Sequence, residues 1–314
     1  MYIKSMLSNE FKSLPEFLDY FKDEEICKQY LEQQRWGGNP VCPFCGHTHV
    51  YRTARGYKCA NKECYKKFSI TVGTVFENSK IKLRTWFAAV YLITAHKKGI
   101  SSLQLSRDLG IGQKAAWFML HRIREMLRTK APEMLEDMVE ADETYIGGKS
   151  KNKHASKRTP NSQGRSVKDK TPVFGIIERQ GKVHTRVVPN TQGKTLKPII
   201  KEMVKEGTIV ITDEWLGYAG LNKHFPHEVM NHQRAEYVRN TSHTNNIEGY
   251  WSHFKRMIYG IYHQVSPKHL NRYCDESTYR YNTREIKDLD RFEHSMTQVA
   301  GRLKYNDLIG KVNG

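Results

Sequence analysis

Four cysteines constrain this chain more than any other feature. They fall as two pairs, Cys42 and Cys45 in C-x2-C spacing and Cys59 and Cys64 in C-x4-C spacing, with thirteen residues between the pairs. Each pair can form a tight knuckle in which backbone N–H groups support the thiolates, and four thiolates at that spacing suit tetrahedral zinc. The intervening Val50 to Lys58 alternates and turns at Gly56, as a hairpin does, and Phe68 to Phe76 reads as further strand. Residues 39–76 are therefore expected to be a zinc ribbon. Its Zn2+ is structural, because four protein ligands leave no open position for chemistry. The remaining cysteines, Cys27 and Cys274, stand alone and read as buried thiols. The first residues show no export signal, so a reducing compartment is expected and the cluster reads as metal-binding rather than disulfide-bonded.

The rest of the composition points to a polyanionic partner. Lys plus Arg number 51 against 33 Asp plus Glu, a formal net charge of +18 over 314 residues. Such an excess favours nucleic acid or an anionic surface. No run of about 18 apolar residues is present, so no membrane partner is expected, and the localisation read from these features is cytoplasmic. The ribbon itself is basic through Arg52, Arg55, Lys58, Lys62, Lys66 and Lys67.

Ahead of the ribbon, residues 1–38 carry apolar residues at helical spacing and predict two short helices. Behind it, residues 81–130 predict a helix over 83–95, a short helix over 101–109, a Gly110-Ile111-Gly112 turn and a longer helix from Gln113 to Leu127. Short helix, glycine turn and longer helix is helix-turn-helix patterning. Gln113, Lys114 and Arg122 on or near the second helix are the candidate DNA contacts; a plain helical hairpin is the alternative.

From Met138 the pattern turns to β. Strands are expected over 138–146, 171–179, 182–188 and 208–213, with a weaker one over 227–232. A helix is expected over 193–205, broken early by Pro198, and another from Asn245. The stretch 147–170 is basic, rich in Gly, Ser and Asn and aperiodic; it reads either as a DNA-gripping loop or as a solvated insertion. Strand, strand, strand, helix, strand, helix, strand, helix is the RNase H-like order, a mixed α/β sheet flanked by helices. In such a sheet Asp142 on the first strand and Asp213 at the end of the fourth can face one another. On the last helix Ile247, Trp251, Phe254, Ile258 and Ile261 form an apolar stripe, and Glu248 and Lys255 share a face beside it. Asn245 and Glu248 also fit a capping box, which needs no chemistry. Three acids offer hard oxygen ligands to a pair of divalent ions. Adjacent residues of a strand face opposite ways, so only one of Asp142 and Glu143 can serve.

The ribbon cysteines, the stretch Val139 to Lys149 (V-E-A-D-E-T-Y-I-G-G-K), Thr212 to Tyr218 (T-D-E-W-L-G-Y), His243 to Arg256 (H-T-N-N-I-E-G-Y-W-S-H-F-K-R) and Tyr279 to Arg284 (Y-R-Y-N-T-R) resemble the DDE transposases of bacterial insertion sequences that carry an N-terminal zinc ribbon, related to Merlin-type elements. The resemblance covers roughly residues 10–290. It implies an RNase H-like catalytic domain over 138–262 with C-terminal helices over 263–314 packing on it. It also implies Mg2+ or Mn2+ in a two-metal site, and end cleavage and strand transfer on double-stranded DNA. The substrates would be terminal inverted repeats and target DNA, handled by a homo-oligomer on paired ends in the bacterial nucleoid. It implies Asp142, Asp213 and Glu248 as metal ligands, Asn245 as the alternative third ligand, and Lys255 with Arg256 as DNA contacts. An RNase H-like nuclease or resolvase, and a non-catalytic DNA-binding regulator, are the alternative functions.

Overall fold

The computed structural model describes residues 11, 13–148, 154–158, 169–230 and 244–310. The chain divides into two compact units, Met1–Leu127 with Glu285–Gly314, and Arg128–Arg284. Most of the basic stretch 147–170, together with His243, lies outside the described residues.

The first unit begins with α1 (Leu14–Tyr20) and α2 (Glu24–Trp36). Ser13 and Asp23 start these helices by accepting hydrogen bonds from the backbone N–H groups of Glu16 and Ile26, which satisfies donors that a helix start leaves open. The ribbon follows as a three-stranded antiparallel sheet, β1 (Val50–Thr53), β2 (Gly56–Cys59) and β3 (Lys67–Phe68). Trp36 at the end of α2 packs edge-on against Tyr57 and Phe68 of this sheet, at 5.4 and 6.2 Å between ring centres. The strand expected to run to Phe76 stops at Phe68. Beyond it the chain turns, because side chains take the backbone groups a ladder would use. Arg35 of α2 donates to the carbonyls of Ile70 and Val72, and the Thr74 hydroxyl donates to the Thr71 carbonyl.

Next come α3 (Leu83–Ala95), α4 (Ser102–Leu109) and α5 (Gln113–Leu127). Gly110, at φ 63°, ends α4 in the left-handed conformation that glycine adopts without steric cost.

The second unit holds β4 (Met138–Ile146), β5 (Thr171–Glu178), β6 (Val183–Val187), α6 (Gly193–Met203), β7 (Ile209–Asp213), β8 (His227–Met230), α7 (Asn245–Met257) and α8 (Pro267–Asn282). A π-helical turn, Ile258–Tyr262, follows α7. The sheet order is β6-β5-β4-β7-β8; β4, β7 and β8 pair in parallel, and β5 runs opposite to both of its neighbours, β4 and β6. It is thus a mixed sheet in an α/β unit, and the first and fourth strands are neighbours as the element order suggested. Helix α6 runs through Pro198 without the expected break, held by Leu196, Ile200 and Met203 buried against the sheet.

Strand alternation sorts β4 between two cores. Val139 and Ala141 join Phe174, Ile176, Val210, Tyr218 and the apolar face of α6. Ile146 joins Val173, Ile177, Ile247, Trp251, Phe254 and Leu270 under α7 and α8. Glu140 and Asp142 share the parity of Ile146, so both carboxylates point to the α7 side.

The chain then returns to the first unit with α9 (Asp288–Met296) and α10 (Tyr305–Ile309). The sequence reading placed everything from 263 on the catalytic domain, and this needs correction beyond α8. Phe292 of α9 inserts among Phe17, Phe21, Tyr30 and Phe87, with ring centres 5.0 to 6.0 Å away. Burying a phenylalanine there stabilises that association by about 1.5–3 kcal/mol.

Candidate functional site

The acids of the second unit gather where β4, β7 and α7 meet. The parallel ladder pairs Val139 with Val210 and Glu140 with Ile211. Extending that offset by two residues sets Asp142 opposite Asp213, on strands about 4.8 Å apart. Asp213 still lies inside β7, paired with Met230 of β8. Its Oδ1 accepts a hydrogen bond from the Trp215 backbone N–H at 3.0 Å, which fixes the carboxylate at the strand end.

Asp142 Oδ2 accepts from the Trp251 indole N–H at 3.1 Å. Burial pushes the Asp142 carboxyl up to about 6, and the negative charges of Asp213 and Glu248 add to the rise. The backbone and the indole N–H oppose it without cancelling it. The charges of two carboxylates from distant parts of the chain thus act on the buried Asp142. Such an arrangement fits a divalent cation: the donors are hard oxygens, and a bound dication would offset the burial and the repulsion that raise the Asp142 carboxyl.

Glu143, the neighbour weighed against Asp142, faces the α6 side of the sheet. There its charge, with those of Asp142 and Asp213, adds to the burial that holds the Tyr218 phenol well above its usual range. Glu214, after Asp213, is exposed.

The start of α7 differs from a capping box. The N-cap is Thr244, whose side chain makes no bond to the helix backbone, and Asn245 is the first helical residue, exposed. The backbone N–H groups of Asn246 and Ile247 are taken instead by Oε2 of Glu140, each at 3.0 Å. Glu248 is exposed and its Oε1 accepts from the Thr244 hydroxyl at 3.3 Å. Lys255 and Arg256 are exposed on the last turn of the helix.

Two residues that bring α7 so close were not among the sequence candidates. Glu140 shares the parity of Asp142, and that parity was the signal for it. Gly175 pairs with Asp142 in the β4–β5 ladder. A Cβ on it would lie 2.7 Å from the Trp251 ring and 3.2 Å from Ile247 Cδ1, so only glycine lets the indole lie across the strands.

In the ribbon, Cys42, Cys45, Cys59 and Cys64 present sulfurs that all lie within 4.8 Å of one another. The Cys42–Cys64 and Cys45–Cys59 separations are 3.8 and 3.6 Å. A tetrahedron with Zn–S bonds of about 2.3 Å has edges of about 3.8 Å, so the four fit zinc. Burial works against ionisation of Cys42, yet the N–H groups of Phe44 and Cys45 help draw its thiol down to about 7; Cys45 is held up at about 12 despite the His47 N–H, and burial raises Cys59, so a bound metal must displace protons to gain its remaining thiolates. His47 and His49 are exposed loop residues.

Gln113 and Lys114 are exposed at the start of α5. Arg122 is not available there, which corrects its assignment as a DNA contact. It is 3% exposed, donates to the Glu77 carbonyl at 2.6 Å and lies against the Trp86 and Phe118 rings. Burial lowers its guanidinium to about 10.

Comparison with known proteins agrees with these features. Residues 134–282 match the ISXO2-like transposase domain family, and residues 22–67 match the transposase zinc-ribbon domain family. The chain is 29% identical over 252 residues to an uncharacterized protein in transposable element ISH50 of Halobacterium salinarum, covering 76% of this chain and 84% of that one. It is 38% identical over 107 residues to an uncharacterized transposase-like protein of Haemophilus influenzae, covering 34% of this chain and 85% of that one. Among solved structures, the Mos1 strand transfer complex aligns over 69% of this chain and 79% of that chain at 14% identity, with a TM-score of 0.27, too loose a likeness to bear on fold or function. On its sequence matches, the chain belongs to the IS1595-type, ISXO2-like family of DDE insertion-sequence transposases with an N-terminal zinc ribbon.

Proposed function

We propose that this transposase binds the terminal inverted repeats of its element, cleaves the DNA ends and joins the freed 3′-OH to target DNA, using an RNase H-like unit in which Asp142, Asp213 and Glu248 hold Mg2+ or Mn2+. The observation that carries this reading is the electrostatic meeting of three carboxylates, two from neighbouring parallel strands and one from α7. Divalent cations held there would supply Lewis-acid stabilisation of charge on a phosphodiester undergoing in-line displacement.

The chain's own residues have separate tasks. Asp142 would serve as an ionised carboxylate ligand, and the Trp251 indole fixes the orientation of its Oδ2. Asp213 is oriented by the Trp215 N–H. Lys255 lies seven residues, about two helical turns, beyond Glu248 and holds a backbone phosphate, with Arg256 beside it. End recognition falls to the first unit. The ribbon with its structural zinc offers exposed Arg55, Lys62, Lys66 and Lys67. Helices α4 and α5 act as a helix-turn-helix whose Gln113 and Lys114 meet the DNA. The active species is a homo-oligomer on paired ends.

The test is incubation of the purified protein with DNA carrying the element's ends, with Mg2+ or Mn2+, scoring nicked and joined products. Asp142→Asn and Asp213→Asn are expected to abolish both products and to retain end binding. Glu248→Gln is expected to match them, while Asn245→Ala retains activity. Metal-dependent strand transfer by Asp213→Asn would show the ligand assignment to be wrong. Cleavage with no joining to target would leave a nuclease of the same fold.

A further inference from the structure

The reading above leaves unexplained the buried acid beside Asp142. Glu140 is 0% exposed, on the central strand, two residues before Asp142 and on the same face. Its oxygens are committed. Oε2 accepts from the backbone N–H groups of Asn246 and Ile247, both at 3.0 Å. Oε1 accepts from Asn246 Nδ2 at 2.8 Å and pairs with Arg179 Nε at 3.2 Å. Asn246 and Ile247 are the second and third residues of α7, whose N–H groups have no partner within the helix. The positive end of the helix dipole also points at this carboxylate.

We infer that Glu140 is a positioning residue: a strand-borne carboxylate that clamps the N-terminus of α7 and thereby sets the depth and rotation at which Glu248 meets Asp142. Three points carry the inference. Glu248 directly follows the clamped pair, so its Cα is fixed within one residue of the anchor. The anchor and Asp142 are on one strand about 6.6 Å apart, so the reference frame for the third carboxylate is the same rigid segment that carries the first. The second tie of α7 to β4, Trp251 Nε1 to Asp142 Oδ2, lies one helical turn beyond Glu248. Glu248 is thus bracketed by two bonds to the same strand, and the helix can neither slide nor roll without breaking one of them. Glu140 does not itself touch the reacting atoms.

The inference rests on Glu248 as the third ligand, and the experiment separates the two. Four forms of the full chain are compared: parent, Glu140→Gln, Glu248→Gln and the double variant. Mn2+ binding is measured from the loss of the free-ion electron paramagnetic resonance signal, in zinc-replete protein without DNA. Amide hydrogen exchange is followed across residues 245–251. Glu140→Gln is expected to speed exchange in that segment and to weaken Mn2+ binding by about tenfold, the usual scale for a residue that orients a metal ligand. In the Glu248→Gln background it is expected to add no more than about a twofold change, the margin within which independent effects add. Equal weakening in both backgrounds means that Glu140 acts independently of Glu248 and overturns the inference. So does faster exchange with unchanged Mn2+ binding, provided Glu248→Gln alone weakens it. If Glu248→Gln alone leaves Mn2+ binding unchanged, the ligand assignment fails, and the metal role of the clamp falls with it. Should Glu140→Gln not fold, Asn246→Ala removes one donor and keeps the buried acid; a smaller effect with the same dependence on Glu248 is then expected, and an effect independent of Glu248 overturns the inference.

Discussion

Gly175→Ala tests how tightly the site is built, because the substitution adds one methyl group and changes nothing else. The added Cβ would stand 2.7 Å from both Cζ2 and Cη2 of Trp251 and 3.2 Å from Ile247 Cδ1. Carbon atoms reach ordinary contact at about 3.5 Å, so the indole must retreat by about 0.8 Å. It has no free space to enter. Trp251 is 3% exposed and Ile247 0%, both within the core that α7 and α8 form on the sheet. Overpacking of this kind costs about 1–3 kcal/mol. Replacing glycine in an extended segment returns about 0.4–1 kcal/mol by restricting the unfolded chain. The net loss is up to about 2.6 kcal/mol, or a fall of up to about 10 °C in Tm for a unit of this size. The same retreat stretches the Trp251–Asp142 bond and shifts Glu248 on α7, so Mn2+ affinity falls along with stability. Thermal unfolding with and without Mn2+ reads both quantities. A variant as stable as the parent, with unaltered Mn2+ binding, would refute the claim that the indole is wedged against the strand pair.

Three further outcomes are expected. Burial and neighbouring charge raise the Asp142 carboxyl to about 6, so between about pH 4 and 6 the folded protein keeps a proton that the unfolded chain has released. Stability without added Mg2+ or Mn2+ therefore falls by up to about 3 kcal/mol as pH rises through that window and is level above it. Asp142→Asn removes the slope, and it melts above the parent at neutral pH while losing cleavage; a parent with no such slope relative to Asp142→Asn refutes the assignment. Chelation of the ribbon zinc, or Cys45→Ser, is expected to open residues 39–68 to protease and to abolish end binding while the second unit keeps its own melting transition; an unchanged proteolytic pattern would count against a structural metal. Arg122→Ala is expected to lower stability by about 2–3 kcal/mol, through lost packing and an unpaired carbonyl, whereas Lys114→Ala leaves the melt alone and weakens end binding; the reverse pattern would restore Arg122 as a DNA contact.

What the sequence could and could not reveal follows from how far each interaction reaches along the chain. The strands of the second unit were legible because alternation is local, and β4, β5 and β7 begin and end within about a residue or two of expectation. That β4 and β7, the strands carrying Asp142 and Asp213, are neighbours followed from element order. The cap of α7 was not legible. Its local candidates, Asn245 and Glu248, had the right spacing, but the acceptor is 106 residues away in Glu140. Phe292 shows the same limit: an amphipathic pattern gives α9 an apolar face without saying that the face belongs to α1, α2 and α3. Arg122 failed for another reason. Charge alone reads as surface, but a guanidinium can be buried where aromatic faces and a carbonyl receive it.

The helix phase also bears on the choice between Glu248 and Asn245. Residues of an α-helix are set 100° apart, so Glu248 stands about 60° from Trp251 in projection and Asn245 about 120°. Trp251 is the side chain of α7 that bonds Asp142, so the azimuth of Trp251 marks the direction of the first carboxylate. Glu248 stands nearer to it in projection, and its negative charge adds to the rise of the Asp142 carboxyl; Asn245 lies about 60° further round the helix. Lys255 falls within about 20° of Glu248 and about 10.5 Å further along the axis, on the same side of α7. A phosphate held by Lys255 would then lie between one and two nucleotide spacings from a scissile phosphate at the acids. On the proposed reading, the phase of this helix suits Glu248 better than Asn245 as ligand and sets Lys255 in register to hold the strand being cut. Both consequences depend on the rotation that Glu140 and Trp251 impose.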